Sequence, residues 1–244
     1  MRNLRLDICY EGTRYRGWQR LSQTENTIQA KLEQTLSRIL GESIEVSASG
    51  RTDAGTHAKL QVVSFHCQSQ MPCEEILLQL RRYLPEDIGI YSCKNVSPRF
   101  HARLNAKTKT YIYRVWNSDA PCVFDRKYVY VDARPLDLVA MEQAAKHFLG
   151  EHDFAAFCAN KNAKKSTVRY IHSLSIKRIG DEVVFTATGN GFLHHMVRII
   201  VGTLLEVGRG ERTVDSIPAL FSASRADTGA LIPACGLCLT EVTY

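Results

Sequence analysis

Ile44-Glu45-Val46-Ser47-Ala48-Ser49 runs without a break into Gly50-Arg51-Thr52-Asp53-Ala54-Gly55-Thr56-His57-Ala58, and from there into Leu60–Cys67. Ile44, Val46 and Ala48 alternate with Glu45, Ser47 and Ser49, the period of a strand with one buried face. Leu60–Cys67 is rich in β-branched and aromatic residues, as a second strand would be. Two glycines and their small neighbours make the intervening block a strand-end loop, where backbone can approach a ligand closely. The loop carries an arginine two residues before an aspartate. That pattern suits a positioned nucleophile or an anion-binding turn, and equally a surface turn with a local ion pair.

Working outward, a strand over Asn3–Tyr10 and a helix precede this pair of strands. In the helix, Asn26 and Gln29 have the spacing of a capping box. Ile28, Leu32, Leu36, Ile39 and Leu40 form one stripe, and Gly41 closes it. A second helix, Glu74–Leu84, stops at Pro85, and a strand follows over Ile88–Val96. The order β-α-β-β-α-β predicts a ferredoxin-like layer, with helices on one face of an antiparallel sheet.

After a pause at Ser97-Pro98 a second half repeats the rhythm loosely. Strands are predicted over Lys109–Asn117 and Tyr128–Val131, then a helix from Pro135 to Gly150. A hairpin, Ile171–Ile179 and Glu182–Ala187, turns at Gly180-Asp181. An apolar helix over Phe192–Val207, a short helix near Val214–Phe221 and a last strand to Val242 complete the chain. The expectation is an α+β protein of two ferredoxin-like-derived halves, residues 1–105 and 106–244, with the active-site cleft between them.

The 244 residues are 45% hydrophobic and 23% charged, the proportions of a folded globular protein rather than a disordered one. The formal net charge of +6 favours a polyanionic partner. No secretion signal is visible at Met1-Arg2-Asn3-Leu4. The longest apolar run, Met196–Val207, contains Arg198, Gly202 and Glu206 and is too short to span a bilayer. Eight cysteines then predict reduced thiols and a cytoplasmic location. Cys235 and Cys238 have the spacing of half a zinc site, but no second close pair exists, and two small core residues are expected instead.

Arg198 interrupts an apolar helix. It must either snorkel outward or meet an anion, and Asp53 is a natural partner if the halves face each other. Tyr111 and Tyr113 share one face of their strand, where an exposed ring could stack on a base or simply pack. Arg14, Arg16 and Arg20 surround Trp18; Arg99, Arg103, Lys107 and Lys109 precede Tyr111; Lys161, Lys164 and Lys165 form a third cluster. Cations interleaved with aromatics suit RNA. Asp227-Thr228-Gly229 matches the aspartic-protease triplet without its apolar strand or second copy, and His194-His195 lack the spacing of a metalloprotease helix.

These residues resemble the TruA family of tRNA pseudouridine synthases over nearly the whole chain. Tyr10–Gln19 looks like the family's opening motif, and Gly50–Ala58 is similar to its catalytic motif, with Asp53 in the place of the aspartate. Phe100-His101-Ala102-Arg103 with Lys109–Tyr113 matches the stretch bearing the active-site tyrosine, here Tyr111. Gly191–Gly202 matches the helix bearing the arginine, here Arg198. Pro233–Leu239, which includes Leu237, matches the C-terminal strand. Thr56 stands where the family usually has valine, and Ile232 where threonine is common.

The resemblance implies isomerisation of uridine to pseudouridine in the anticodon stem–loop of tRNA, by a homodimer without metal or cofactor. It assigns catalysis to Asp53, as nucleophile at C1′ or the base, or as base at a sugar proton. It assigns substrate binding to Arg51, Tyr111, Arg198 and Leu237. The rivals are a catalytically inactive tRNA-binding module of the same fold, and a hydrolase, which lacks a second carboxylate near the motif.

Overall fold

The computed structural model describes residues 1–159 and 166–244, so Lys161, Lys164 and Lys165 of the third basic cluster lie outside the described residues. The chain is α+β and separates into two compact units, one formed by Met1–Lys107 with Leu239–Tyr244, the other by Thr108–Cys238.

In the first unit the order is β1 (Arg2–Tyr10), α1 (Ile28–Leu40), β2 (Ser47–Ala48), β3 (His57–Cys67), α2 (Cys73–Tyr83) and β4 (Ile88–Val96). β1 pairs antiparallel with β3 on one side and β4 on the other, and β2 pairs antiparallel with β3. The spatial order β4-β1-β3-β2 is the expected ferredoxin-like one. Alternation along β1 buries Leu4, Leu6 and Ile8; α1 contributes Ile28, Leu32 and Leu36, and α2 Ile76 and Leu80. Each such side chain stabilises the fold by roughly 1.5–3 kcal/mol on full burial.

Two local expectations change. Helix α1 is capped by Thr27, whose hydroxyl accepts the Ala30 N–H at 3.3 Å; Asn26 instead donates its amide to the Arg14 carbonyl. The strand expected over 44–49 shrinks to Ser47–Ala48, although Ile44, Val46 and Ala48 are all buried. The cause lies in α1: Ser37 Oγ accepts the Ile44 N–H at 2.9 Å and Glu33 Oε1 accepts that of Val46 at 3.1 Å. Helix side chains replace the ladder there.

The second unit contains β5 (Thr108–Trp116), β6 (Tyr130–Val131), α3 (Leu138–Lys146), β7 (Gly150–Asp153), β8 (Val168–Ile179), β9 (Glu182–Gly189), α4 (Met196–Gly208) and α5 (Ile217–Leu220). The last strand, β10 (Leu237–Thr243), starts here. β5-β9-β8-β7 form an antiparallel sheet, with β6 parallel to β5. α3 is shorter than expected because Asp137 caps it, accepting from Ala140 N at 3.0 Å, and Gly150, at φ +88°, opens β7 instead of closing the helix. α4 starts at Met196 rather than Phe192, since His195 has φ +66° and cannot continue a helix. The short helix near Val214 is a tight turn, Val214–Ser216, running into α5. Among the described residues no helix is long and apolar enough to cross a membrane.

Candidate active site

The Gly50–Ala58 loop joins β2 to β3 and is fixed largely by backbone contacts to Tyr10–Gln19. Trp18 N donates to the Thr52 carbonyl at 3.0 Å and Gly55 N to that of Tyr15 at 3.3 Å. The Tyr10 and Thr52 hydroxyls share a buried hydrogen bond of 2.8 Å, and Gly12 N donates to His57 Nδ1 at 3.0 Å. That last bond leaves the His57 proton on Nε2 in the neutral ring. Two glycines make the approach possible. A Cβ on Gly12 would lie 2.0 Å from the Thr56 carbonyl oxygen; Gly17 has φ +94° and a Cβ there would meet the Thr52 carbonyl oxygen at 2.9 Å. The Tyr10–Gln19 segment is anchored in turn by Asp87, which accepts from Tyr15 Oη at 2.5 Å and Arg14 Nε at 2.9 Å. Burial, then the hydrogen bond to Asp87, push the Tyr15 hydroxyl well above its ordinary pKa.

On this frame Asp53 is half-buried and its carbonyl accepts from Thr56 N at 3.1 Å, closing a tight turn at Ala54-Gly55. Arg51 is exposed. The Thr56 hydroxyl is buried with no hydrogen-bond partner. Sequence periodicity gave no sign of it; the contrast with valine did.

In the second unit Tyr111 on β5 is buried at 7% exposure, not an open platform, and Phe192 meets its ring edge-on with centroids 5.3 Å apart. Tyr113, on the same face, donates its hydroxyl to the Pro233 carbonyl at 2.7 Å, and burial raises its pKa. Arg198 on α4 is half-buried and donates Nε to the Ile232 carbonyl at 2.7 Å. Its charge is also felt at Tyr113 and Cys235. Leu237 is buried where β10 begins. α4 is locked by close approach: Gly229 N donates to Thr203 Oγ1 at 3.0 Å, and a Cβ on Gly202 would reach the Ala230 carbonyl oxygen at 2.1 Å.

A family model described as tRNA pseudouridine synthase matches residues 8–105 and 144–244. The tRNA pseudouridine synthase A 2 of Bacillus cereus (strain ZK / E33L) is 43% identical over 245 residues, covering all of both chains. The chain belongs to the tRNA pseudouridine synthase family. The tRNA pseudouridine synthase A 1 of Clostridium tetani is likewise 43% identical over the full length of both. A chain from a solved Cbf5-Nop10-Gar1 complex aligns with 97% of this one and 48% of its own length, at 14% identity and a TM-score of 0.43.

Several sequence features of this family member prove structural. Asp227 closes a capping box on Ser224, and Thr228 and Gly229 seat the following segment against the rest of the unit. Cys235 and Cys238 are half-buried rather than fully buried core residues, and Cys235 Sγ donates to the Val129 carbonyl at 3.2 Å. Arg14 and Arg20 are ion-paired with Asp87 and Glu33, while Arg16, Arg99, Arg103 and Lys107 are exposed. His195, set aside with His194 for lacking metalloprotease spacing, has a backbone conformation that the sequence did not signal. Among the described residues it is the one non-glycine with positive φ, a conformation costing about 1–3 kcal/mol that persists only where surrounding structure enforces it.

Proposed function

We propose that the uridines this isomerase converts lie in the anticodon stem–loop of tRNA, and that Asp53 is the carboxylate that drives the conversion. The observation that carries this reading is the setting of Asp53: half-buried, on a loop whose backbone is pinned at Thr52, Asp53 and Gly55. A carboxylate held this way needs little reorganisation to meet a substrate atom.

The reaction balances internally. The C1′–N1 bond breaks, the uracil turns, C1′ joins C5, the C5 proton is lost and N1 gains one. Nothing is oxidised or reduced, so the conversion calls for no redox cofactor. Three routes are open to Asp53: attack on C1′, addition to the pyrimidine ring, or removal of a sugar proton. The target nucleotide must leave its stack first. Arg51, exposed beside Asp53, is assigned to the vacated stack or a phosphate. Tyr111 is assigned to the uracil and the C5 proton, and Leu237, buried at the start of β10, to substrate binding. Arg198 is assigned as a positioning residue, its planar guanidinium held by the Ile232 carbonyl and available to orient the substrate. The roles thus divide between a first unit bearing the carboxylate and a second bearing the tyrosine and arginine. A cytoplasmic homodimer is part of the same proposal.

Mapping pseudouridine in unmodified tRNA transcripts after incubation with the chain tests the site of action. Product confined to the anticodon stem–loop is expected, and product elsewhere refutes that assignment. Arg198→Lys should recover part of the activity that Arg198→Ala loses; an Arg198→Ala enzyme turning over at the parental rate would remove Arg198 from the mechanism.

A further inference from the structure

Phe124 is the most exposed large apolar residue among those described, at 95%. It sits in the loop joining β5 to β6, and that loop is not loose. At its base the Trp116 indole donates to the Ala120 carbonyl at 2.8 Å, and the Asn117 amide bridges the carbonyls of Asp132 and Arg134 at 2.6 and 2.8 Å. At its tip Arg126 Nη1 donates to the Val123 carbonyl at 2.6 Å, Tyr128 N to that of Asp125 at 2.7 Å, and Arg114 Nη2 to the Asp125 carboxylate at 3.2 Å. The Val123 and Asp125 carbonyls and the Asp125 carboxylate are therefore satisfied within the unit, and the ring is held out into solvent. Val123, 55% exposed, stands beside it, and the exposed Arg126 and Lys127 follow two and three residues later.

We propose that Phe124 is a base-stacking contact for tRNA, with Arg126 and Lys127 against the neighbouring phosphates. This rests on the reading of the chain as a tRNA-modifying enzyme. Size favours the nucleic acid over a second copy of the chain. One phenylalanine presents about 200 Å², whereas a stable association buries about 800 Å² on each partner. A single ring with its face free and cations next to it matches one unstacked base and its backbone.

Binding of an unmodified tRNA transcript to the full-length chain, measured across a salt series, tests this. Phe124→Ala should weaken affinity roughly tenfold, equivalent to about 1.4 kcal/mol of stacking. Phe124→Trp should hold the parental value, and Phe124→Leu, apolar but without a π face, should fall with alanine. The slope of affinity against salt should stay parental in Phe124→Ala and drop in the Arg126→Ala/Lys127→Ala pair, because only the latter gives up ion release. Parental affinity in Phe124→Ala or Phe124→Leu overturns the proposal. So does a shift of Phe124→Ala to a smaller species in sedimentation, which would make the ring a contact between two copies. A parent chain that does not bind tRNA overturns the functional reading instead, so the two failures are distinct.

Discussion

Gly12→Ala should disable the enzyme without preventing it from folding. The added Cβ would sit 2.0 Å from the Thr56 carbonyl oxygen, where ordinary contacts begin at 3.4 Å, so one backbone must retreat by the difference, 3.4 − 2.0 = 1.4 Å. Neither side has slack. Gly12 is tied through its N–H to His57, and Thr56 through its own to the Asp53 carbonyl. Moving Thr56 therefore drags the turn that carries Asp53. A misplacement of about 1 Å at a reacting group costs on the order of 10²-fold in rate, and crowding of this kind costs about 1–3 kcal/mol of stability. The assay is single-turnover formation of pseudouridine in an unmodified tRNA transcript, with thermal unfolding run in parallel. Gly41→Ala is the control. That residue has φ +70° and nothing within 4 Å of its Cβ position, so it should lose about 1 kcal/mol of stability and no activity. A Gly12→Ala enzyme turning over at the parental rate would refute the claim that the Tyr10–Gln19 segment sets the position of Asp53.

Thr56→Val should raise the melting temperature by a few degrees, because it removes a buried hydroxyl that has no partner, a burden of about 1–3 kcal/mol; a lower melting temperature would mean the hydroxyl is satisfied. Burial pushes the Asp132 carboxyl up, but hydrogen bonds and charge from Arg134, then Arg209, outweigh it and hold its pKa below the usual range. Its contribution is present above the ordinary carboxylate pKa and lost as pH falls through the depressed one, so Asp132→Asn should lower stability at neutral pH and flatten the loss on acidification; parallel acid curves for parent and variant would contradict this. Full activity is expected after exhaustive chelation, and a loss restored by zinc or magnesium at constant RNA structure would show a metal requirement.

The first unit was legible because its elements follow local rules. Alternation in Leu4-Arg5-Leu6-Asp7-Ile8, the α1 stripe and Gly41 each point to one answer, and the observed strand order agrees. What could not be read were positions settled by distant partners. Glu33 and Ser37 reach from α1 to take the amides of residues 44 and 46, so an alternating segment forms almost no strand. His195 turns left-handed and delays α4 by four residues, which no hydrophobic period encodes. The motif at Asp53 was visible as residue types, but its rigidity comes from Trp18, Tyr15 and Gly12, remote in sequence. Strand alternation left Tyr111 either stacking in the open or packing, and the choice is made by Phe192, remote in sequence, whose ring meets that of the buried tyrosine edge-on.

The most direct test of the central claim is Asp53→Asn, assayed for pseudouridine in an unmodified tRNA transcript alongside tRNA binding. The substitution keeps shape and volume while removing the nucleophile or base. Product formation should fall to background, a loss of many powers of ten, because none of the routes open to the carboxylate is open to an amide. Affinity for tRNA should hold or tighten slightly, since a negative charge facing RNA is gone. Turnover near the parental rate in Asp53→Asn would contradict the account, because a surface turn with an incidental ion pair is the one role for Asp53 that such an outcome would leave.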